Sequence, residues 1–338
     1  MTDYFRPLVQ IGPARPDTAV SLAGGWGWFT HAEVLSRSTP ARVVPAADIP
    51  ASVMARLTAP RPAMAGLTLD RPRIMGILNT TPDSFSDGGQ HNAVPDALRV
   101  AQEMVAAGAD ILDIGGESTR PGADFVPVSE EITRTAPVIA ALRGAGLHTP
   151  ISIDTRKAAV AEAAVSAGAN LVNDVSGFTF DPALGPLCQK LALPVCVMHA
   201  QGDPATMHLD PQYDNVLLDV FDALERQISM LEASGIPRGA ILADPGIGFG
   251  KTQDHNLALL ARLSLFHALG TPILLGVSRK RFIGTIGNAP QAQDRAPGSI
   301  AVALAGLGQG VQMIRVHDVD DTRQAVALWH AAYFGSIL

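Results

Sequence analysis

The stretch Ala107-Gly108-Ala109-Asp110-Ile111-Leu112-Asp113-Ile114-Gly115-Gly116-Glu117 decides how this chain is read. A helical pattern over Asp96–Ala107 runs into Gly108, the residue type that takes the left-handed conformation ending a helix. The short run Ile111–Ile114 follows as a strand, and the chain leaves it through a corner of glycine and charge. The same joint returns as Ala167-Gly168-Ala169-Asn170 and again as Gly308-Gln309-Gly310-Val311. Working outward from it, apolar runs fall at Ile74–Leu78, Ile111–Ile114, Ile151–Ile153, Leu171–Val172, Val195–Met198, Ile241–Ala243, Ile273–Gly276 and Val311–Val316. Each is followed by a helical stretch, clearest over Asp96–Ala107, Lys157–Ala167, Tyr213–Ala233, His255–His267 and Gly298–Leu307. Strands alternating with helices imply βαβ units and a parallel sheet. Eight consecutive units favour an α/β chain closed into a (β/α)₈ TIM barrel over a doubly wound sheet.

The regular pattern begins at Arg73. Residues 1–70 are expected to be an N-terminal extension and residues 71–338 the barrel domain. The extension is rich in Pro and Ala and has no sustained period, with apolar patches at Trp26–Phe29 and Val53–Leu57. Over all 338 residues, a hydrophobic fraction of 47% permits a large core, and a charged fraction of 17% does not suggest disorder. A net charge of -7 argues against a nucleic-acid partner but leaves room for a local basic cluster that binds a small anion. The two cysteines, Cys188 and Cys196, read as buried free thiols in a reducing compartment. Met1–Gln10 lacks the basic start and apolar run of a secretory signal, and no stretch approaches the ~20 apolar residues of a membrane span. A cytoplasmic location with no membrane partner is expected.

Polar residues gather just after the strands, at positions that converge on the C-terminal mouth of such a barrel, where active sites of this fold lie. The first strand runs into the long polar loop Asn79–Gly89, the second into Gly115–Gly122, with Glu117, Thr119 and Arg120. The plain alternative makes Glu117 and Arg120 a solvated pair. Strands three and four end in Asp154 and Asn173-Asp174, acceptors that a ring edge with adjacent N–H groups would satisfy. At the fifth, Met198 could be core and His199 reads best as a hydrogen-bonded interior histidine. The sixth opens Asp244-Pro245-Gly246-Ile247-Gly248-Phe249-Gly250-Lys251-Thr252, which fails as a P-loop because Pro245 stands where the first glycine is required. Asp244 reads better as an acceptor for ring N–H donors, with Phe249 stacking on an aromatic ligand. The last two strands bring Lys280, Arg315 and His317 to the mouth, where with Arg120 they suit a phosphate or pyrophosphate.

Taken in order, these segments resemble the dihydropteroate synthase family of pterin-binding enzymes. Ile77–Gly89 looks like its first signature and Gly115–Gly122 its second, followed by Asp154-Thr155, Asn173-Asp174, Met198-His199, Asp244–Gly246, Ser278–Lys280 and Arg315–Asp318. The resemblance covers Arg73 to the C-terminus. It implies a transferase of folate biosynthesis that condenses 6-hydroxymethyl-7,8-dihydropterin diphosphate with 4-aminobenzoate to 7,8-dihydropteroate and pyrophosphate, working as a homodimer with Mg²⁺. Carried over by position, Asp154, Asn173, Asp244 and Lys280 would hold the pterin with Met198 as an apolar wall. Asn79 would ligate Mg²⁺ beside a diphosphate bound by Arg315, His317 and Arg120. Thr119, Pro121 and Phe249 would form the aminobenzoate pocket, and Asp113 looks like a supporting carboxylate. Asp154, Lys280, Arg315 and His317 would be catalytic, by stabilising charge on the pterin and the leaving group. Arg281 stands where many family members carry Ser. A corrinoid-type methyltransferase would share the Asp/Asn/Asp pterin contacts without needing the Asn79–Gly89 loop or the Arg315/His317 anion site. A non-catalytic paralogue would lack one of them.

Overall fold

Side chains of the barrel strands alternate between two surroundings, as the period of a strand demands. Ile74, Leu112, Ile114, Ile151, Ile153, Val172, Val195, Val197, Ile241, Ala243, Leu275 and Ile314 belong to the core shared with the outer helices. Met75, Ile111, Leu171, Cys196, Leu242, Leu274 and Met313 form a separate cluster inside the barrel. The computed structural model describes residues 3–81, 93–118, 125–202 and 210–337.

In the extension, strands β1 (Tyr4–Pro7), β2 (Val20–Ser21), β3 (Trp28–Phe29), β4 (His31–Leu35) and β5 (Arg42–Pro45) precede helix α1 (Ala51–Thr58). The barrel then alternates β6 (Arg73–Asn79), α2 (Ala93–Ala106), β7 (Ile111–Gly115), α3 (Val128–Gly144), β8 (Ile151–Asp154), α4 (Ala158–Ala167), β9 (Leu171–Asp174) and α5 (Leu184–Lys190). It continues through β10 (Val195–Met198), α6 (Val216–Ala233), β11 (Ile241–Asp244), α7 (Gln253–Leu260), β12 (Leu274–Gly276), α8 (Arg281–Ile286), α9 (Ala296–Gly308), β13 (Met313–Val316) and α10 (Val319–Phe334). The eight strands β6 to β13 follow the order β11-β10-β9-β8-β7-β6-β13-β12, every pair parallel. A parallel bridge between Ala243 and Ile273 closes the ring, the Ala243 N–H donating to the Pro272 carbonyl at 2.9 Å. The (β/α)₈ expectation therefore holds. Gly108, Gly168 and Gly310 take φ values of +98°, +119° and +86°, as the three helix-to-strand joints require.

Besides small shifts at several element ends, two segments differ from the sequence reading. His255–His267 is not one helix: α7 ends at Leu260, and the chain resumes as a 3₁₀ segment over Leu263–Leu269 in which every residue is buried. That segment is wedged beneath the extension, which gives it tertiary partners in place of α-helical ones. The Ser264 hydroxyl donates to the Pro7 carbonyl at 2.9 Å and Arg61 Nη2 to the His267 carbonyl at 3.1 Å. The last strand starts at Met313, not Val311; Gln312 before it accepts the Arg73 N–H through its carbonyl at 2.9 Å and the Ile273 N–H through its side-chain Oε1 at 2.9 Å.

The extension folds as an antiparallel sheet β1-β4-β5 with a β2–β3 pair, around Phe5, Leu22, Phe29, Val34, Ile49 and Leu57. It is fastened to the barrel by polar bonds. Trp26 Nε1 donates to the Leu307 carbonyl at 2.9 Å, and the Tyr4 hydroxyl meets the Asp222 carboxylate at 2.9 and 3.0 Å. Glu33 is shared between Arg6 and Arg262. Met64 and Leu69, just before the barrel, join the interior cluster and close the floor. Both cysteines are buried and free, and among the described residues no helix is long and apolar enough to cross a membrane.

Candidate active site at the barrel mouth

The inward parity that places Met75, Ile111, Leu171, Cys196, Leu242 and Met313 on the floor places a polar layer above them. Two residues further along the same strands come Ile77 then Asn79, Asp113, Asn173, Met198, Asp244 and Arg315, and β8 adds Asp154. Cross-strand register sets them side by side: Asn79 opposite Gly115, Gly115 opposite Asp154, Asp154 opposite Asn173, and Met198 opposite Asp244. Glycines keep the layer open. A Cβ at Gly115 would sit 3.4 Å from the Asp154 Cβ, and one at Gly276 would sit 3.6 Å from Asp244 Oδ2.

Arg315 is the hub of this layer. Its Nε donates to Asp113 Oδ2 at 2.6 Å and its Nη2 to Asp154 Oδ2 at 2.7 Å. Asn173 Nδ2 donates to the same Asp113 oxygen at 3.1 Å, turning its own carbonyl oxygen the other way. Burial works against the Arg315 charge, but Asp113 and Asp154 outweigh it and move its pKa up. Burial pushes the Asp154 carboxyl up; Arg315 opposes this, and Asp113, Glu131 and Asp174 add to it. Asp113 is wholly buried, and its Oδ1 has no hydrogen-bond partner among the described residues. An orphaned carboxylate oxygen inside a polar chamber marks a place where a ligand or water donates. Arg315 thus touches two carboxylates, so the donors expected to reach Asp154 from a ligand alone come in part from the protein.

Across the mouth, Asp244 Oδ1 accepts the Gly246 N–H at 2.7 Å. Burial raises the Asp244 pKa, while that bond and the charges of Lys280, Lys251 and Arg315 hold it down. The turn after β11 carries Phe249, whose ring face holds Lys280 Nζ at 4.1 Å from its centroid. Lys280 follows Arg279, a non-glycine residue at φ +57°. This strained turn is held by three contacts. The Arg279 N–H donates to Ser299 Oγ at 2.8 Å, its guanidinium pairs with Asp318, and its carbonyl accepts from Arg295 Nη1 at 3.0 Å. The neighbouring Ser278 hydroxyl contacts His317 Nδ1 at 2.9 Å and accepts the His317 N–H at 3.1 Å. Lys280, Arg315 and His317 therefore gather on the β12–β13 side, as expected. Arg281 is exposed at the first turn of α8.

His199 is an interior histidine, as read from sequence: burial and the Lys251 charge push its pKa down to about 3. The solvated Glu117–Arg120 pair is corrected at the Glu117 end. Glu117 is half-buried and pairs with Arg156 at 3.0 Å and Lys157 at 3.1 Å, and it also accepts the Val126 N–H at 3.1 Å. The sequence reading did not single out Arg156 and Lys157, although two adjacent cations directly after Asp154-Thr155 were a usable signal. Thr119, Arg120 and Pro121, with Pro82–Gly89 of the first loop, lie outside the described residues.

Asn79 ends β6 half-buried, and Thr80 beside it bonds the Gly115 carbonyl through both its N–H and its hydroxyl. No group of three or more His, Cys, Asp or Glu is arranged to hold a metal among the described residues. One amide oxygen at the mouth fits a Mg²⁺ ion that keeps its waters and arrives on phosphate oxygens, rather than one caged by protein ligands.

Comparison with known proteins follows the same lines. The family model for pterin-binding enzymes matches residues 75–317. The dihydropteroate synthase of Escherichia coli K12 is 45% identical over 255 residues, covering 75% of this chain and 89% of that protein. Among solved structures, the Xanthomonas albilineans dihydropteroate synthase with 4-aminobenzoic acid superposes with a TM-score of 0.75 at 45% identity, over 79% of this chain and 96% of that one. The same organism's enzyme in complex with 7,8-dihydropteroate gives 0.72 at 42% identity, over 79% and 95%. Matched over most of its length by that model and these relatives, the chain belongs to the pterin-binding enzyme family, among the dihydropteroate synthases.

Proposed function

We propose that this chain joins 6-hydroxymethyl-7,8-dihydropterin diphosphate to 4-aminobenzoate, giving 7,8-dihydropteroate and pyrophosphate in folate synthesis. It is a transferase of the dihydropteroate synthase family, and solved relatives hold 4-aminobenzoic acid and 7,8-dihydropteroate. The observation that carries the reading is the polar layer of Asp113, Asp154, Asn173 and Asp244 around Arg315 above an apolar floor. A flat ring with several N–H donors on one edge is the ligand that such a set of buried acceptors takes.

On this reading Asp154, Asn173 and Asp244 accept from the pterin, Lys280 covers it and Met198 forms its apolar wall. Phe249, with Thr119 and Pro121, flanks the aminobenzoate. The aniline nitrogen forms the new bond to the pterin methylene carbon, and the carbon–oxygen bond to the diphosphate breaks with its electron pair leaving on oxygen. The nitrogen sheds one proton to solvent. Arg315, His317 and Arg120 stabilise the departing diphosphate, and Asp154 stabilises positive charge on the ring as the bond breaks. Asn79 would hold Mg²⁺, which would supply positive charge to the phosphate oxygens. A homodimeric state and a cytoplasmic location complete the reading; both rest on the family resemblance.

The test is to follow pyrophosphate and dihydropteroate together in purified protein given both substrates and Mg²⁺. Equal formation of the two is expected. Pterin binding without dihydropteroate, in folded protein with metal supplied, would refute the reading, and ultracentrifugation checks the dimer.

A further inference from the structure

Lys251 belongs to no part of the reaction described above, yet it is a buried cation beside the site. It is 4% exposed, in the stretch that imitates a P-loop without being one. In a P-loop the lysine reaches a phosphate; here the ammonium turns inward. Its Nζ donates to the Gly246 carbonyl at 2.8 Å and the Phe249 carbonyl at 2.9 Å, contacts His199 Nδ1 at 2.9 Å, and lies 3.3 Å from the His199 carbonyl. An ammonium has three N–H donors, and three neutral acceptors stand within 2.9 Å of it. The imidazole is neutral, so its Nδ1 can accept.

The backbone that Lys251 gathers cannot close in this way by other means. Gly246 is at φ +67°, and a Cβ there would lie 1.8 Å from the His199 carbonyl oxygen. Gly250 is at φ +59°, and a Cβ there would lie 2.4 Å from the Gln201 carbonyl oxygen. The Gly250 carbonyl accepts from the Tyr213 hydroxyl at 2.8 Å. The turn is thus pressed onto the end of β10, and Lys251 fills the space between. Gly246 is the link to the site: its carbonyl is bound by Lys251 and its N–H by Asp244 Oδ1.

We infer that Lys251 is a positioning residue for pterin binding, acting through Gly246 to orient the Asp244 carboxylate and to keep it ionised, without touching either substrate. The inference rests on the proposed role of Asp244 as an acceptor for the pterin. The charged and titratable groups facing Lys251 are His199 at the end of β10, Asp244 at the end of β11, and Lys280 before α8, with Tyr213 behind the turn. Burial pushes the lysine's pKa down to about 7; Asp244 works against this and Lys280 with it. A neutral amine keeps two N–H donors and loses the charge that holds the Asp244 pKa down, so the brace slackens as the proton leaves even where the imidazole then donates from Nδ1.

The experiment measures pterin affinity calorimetrically for the wild-type chain, Lys251→Met, Asp244→Asn and the double variant, from about pH 6 to about pH 9. Wild-type affinity is expected to fall as pH rises across that range. Lys251→Met should bind about 10- to 100-fold more weakly at the acid end and show no such fall. Adding Asp244→Asn to Lys251→Met should cost little more, because both changes remove one coupled unit. Wild-type affinity that is flat with pH, or fully additive losses, would overturn the inference. Should Lys251→Met fail to fold, the wild-type pH profile decides alone. A wild-type chain that binds no pterin at any pH refutes the proposed function instead, which keeps the two failures apart.

Discussion

The extension and the barrel mouth both carry buried or half-buried charge, and they use it in opposite ways. Where the extension meets the barrel, Glu33 lies between Arg6 and Arg262, and Tyr4 and Arg37 both meet Asp222, while the buried Arg61 bonds through its two terminal nitrogens and leaves only its Nε unpaired among the described residues. At the mouth, Arg315 contacts Asp113 and Asp154, Asp244 accepts the Gly246 N–H, and Asp113 Oδ1 has no hydrogen-bond partner among the described residues. Paired groups at an interface fix a shape. Incompletely paired groups in a polar chamber are placed to take a ligand, at some cost to stability.

Replacing the hub should have the largest effect. Arg315→Met leaves Asp113 and Asp154 buried without their cation, and dihydropteroate formation should fall about 10²- to 10³-fold, with stability lowered by about 3 kcal/mol. Steady-state rates and chemical denaturation check both, and near-normal turnover would break the contrast. Asp244→Ala should come next, weakening pterin about 10- to 100-fold with a much smaller change in melting temperature; unaltered affinity would remove Asp244 from the site. The pH profile sharpens the comparison further. Because burial raises the Asp154 pKa, its protonated form persists above the usual carboxylate range, so the acid limb of activity should lie above about pH 4. Asp113 adds to that rise, so Asp113→Asn should move the limb downward. The smallest effect belongs to the extension. Tyr4→Phe should cost about 1 kcal/mol of stability and leave both Michaelis constants unchanged; a shift in either would show that the extension reaches the site.

The same contrast explains what could be read from sequence. Barrel strands were legible because each buries one face inside and one outside, so a run such as Ile111–Ile114 has no other plausible home. Their ends were read one residue short at Asn79, Gly115, Asp154 and Asp244, since a polar residue or glycine that still pairs in register looks like a loop. The extension was illegible for a different reason. Strands as short as Val20–Ser21 and Trp28–Phe29 show no period, the first is partly exposed, and Phe29 is buried against residues scattered through the extension such as Phe5, Leu22 and Leu57. At the site, residue types and strand-end positions singled out Asp154, Asn173, Asp244, Lys280, Arg315 and His317, all of which lie at or just beyond strand ends at the barrel mouth. The pairing of Arg315 with Asp113, 202 residues apart, depends on barrel closure and left no local trace. Lys251 was visible only as a failed P-loop, and its inward turn is set by Gly246 and Gly250 rather than by its own identity.

One seam of the barrel differs from the other seven. Between β11 and β12 the backbone is joined by the single bridge at Ala243 and Ile273, and the two sides of that seam carry Asp244 and, beyond β12, Lys280. The ring is therefore a hoop with a clasp, and on the proposed reading the pterin is held by residues on both sides of it. Occupancy then acts as a missing lateral tie, so hydrogen exchange around Ala243 and Ile273 should slow in the liganded protein by more than at any other seam.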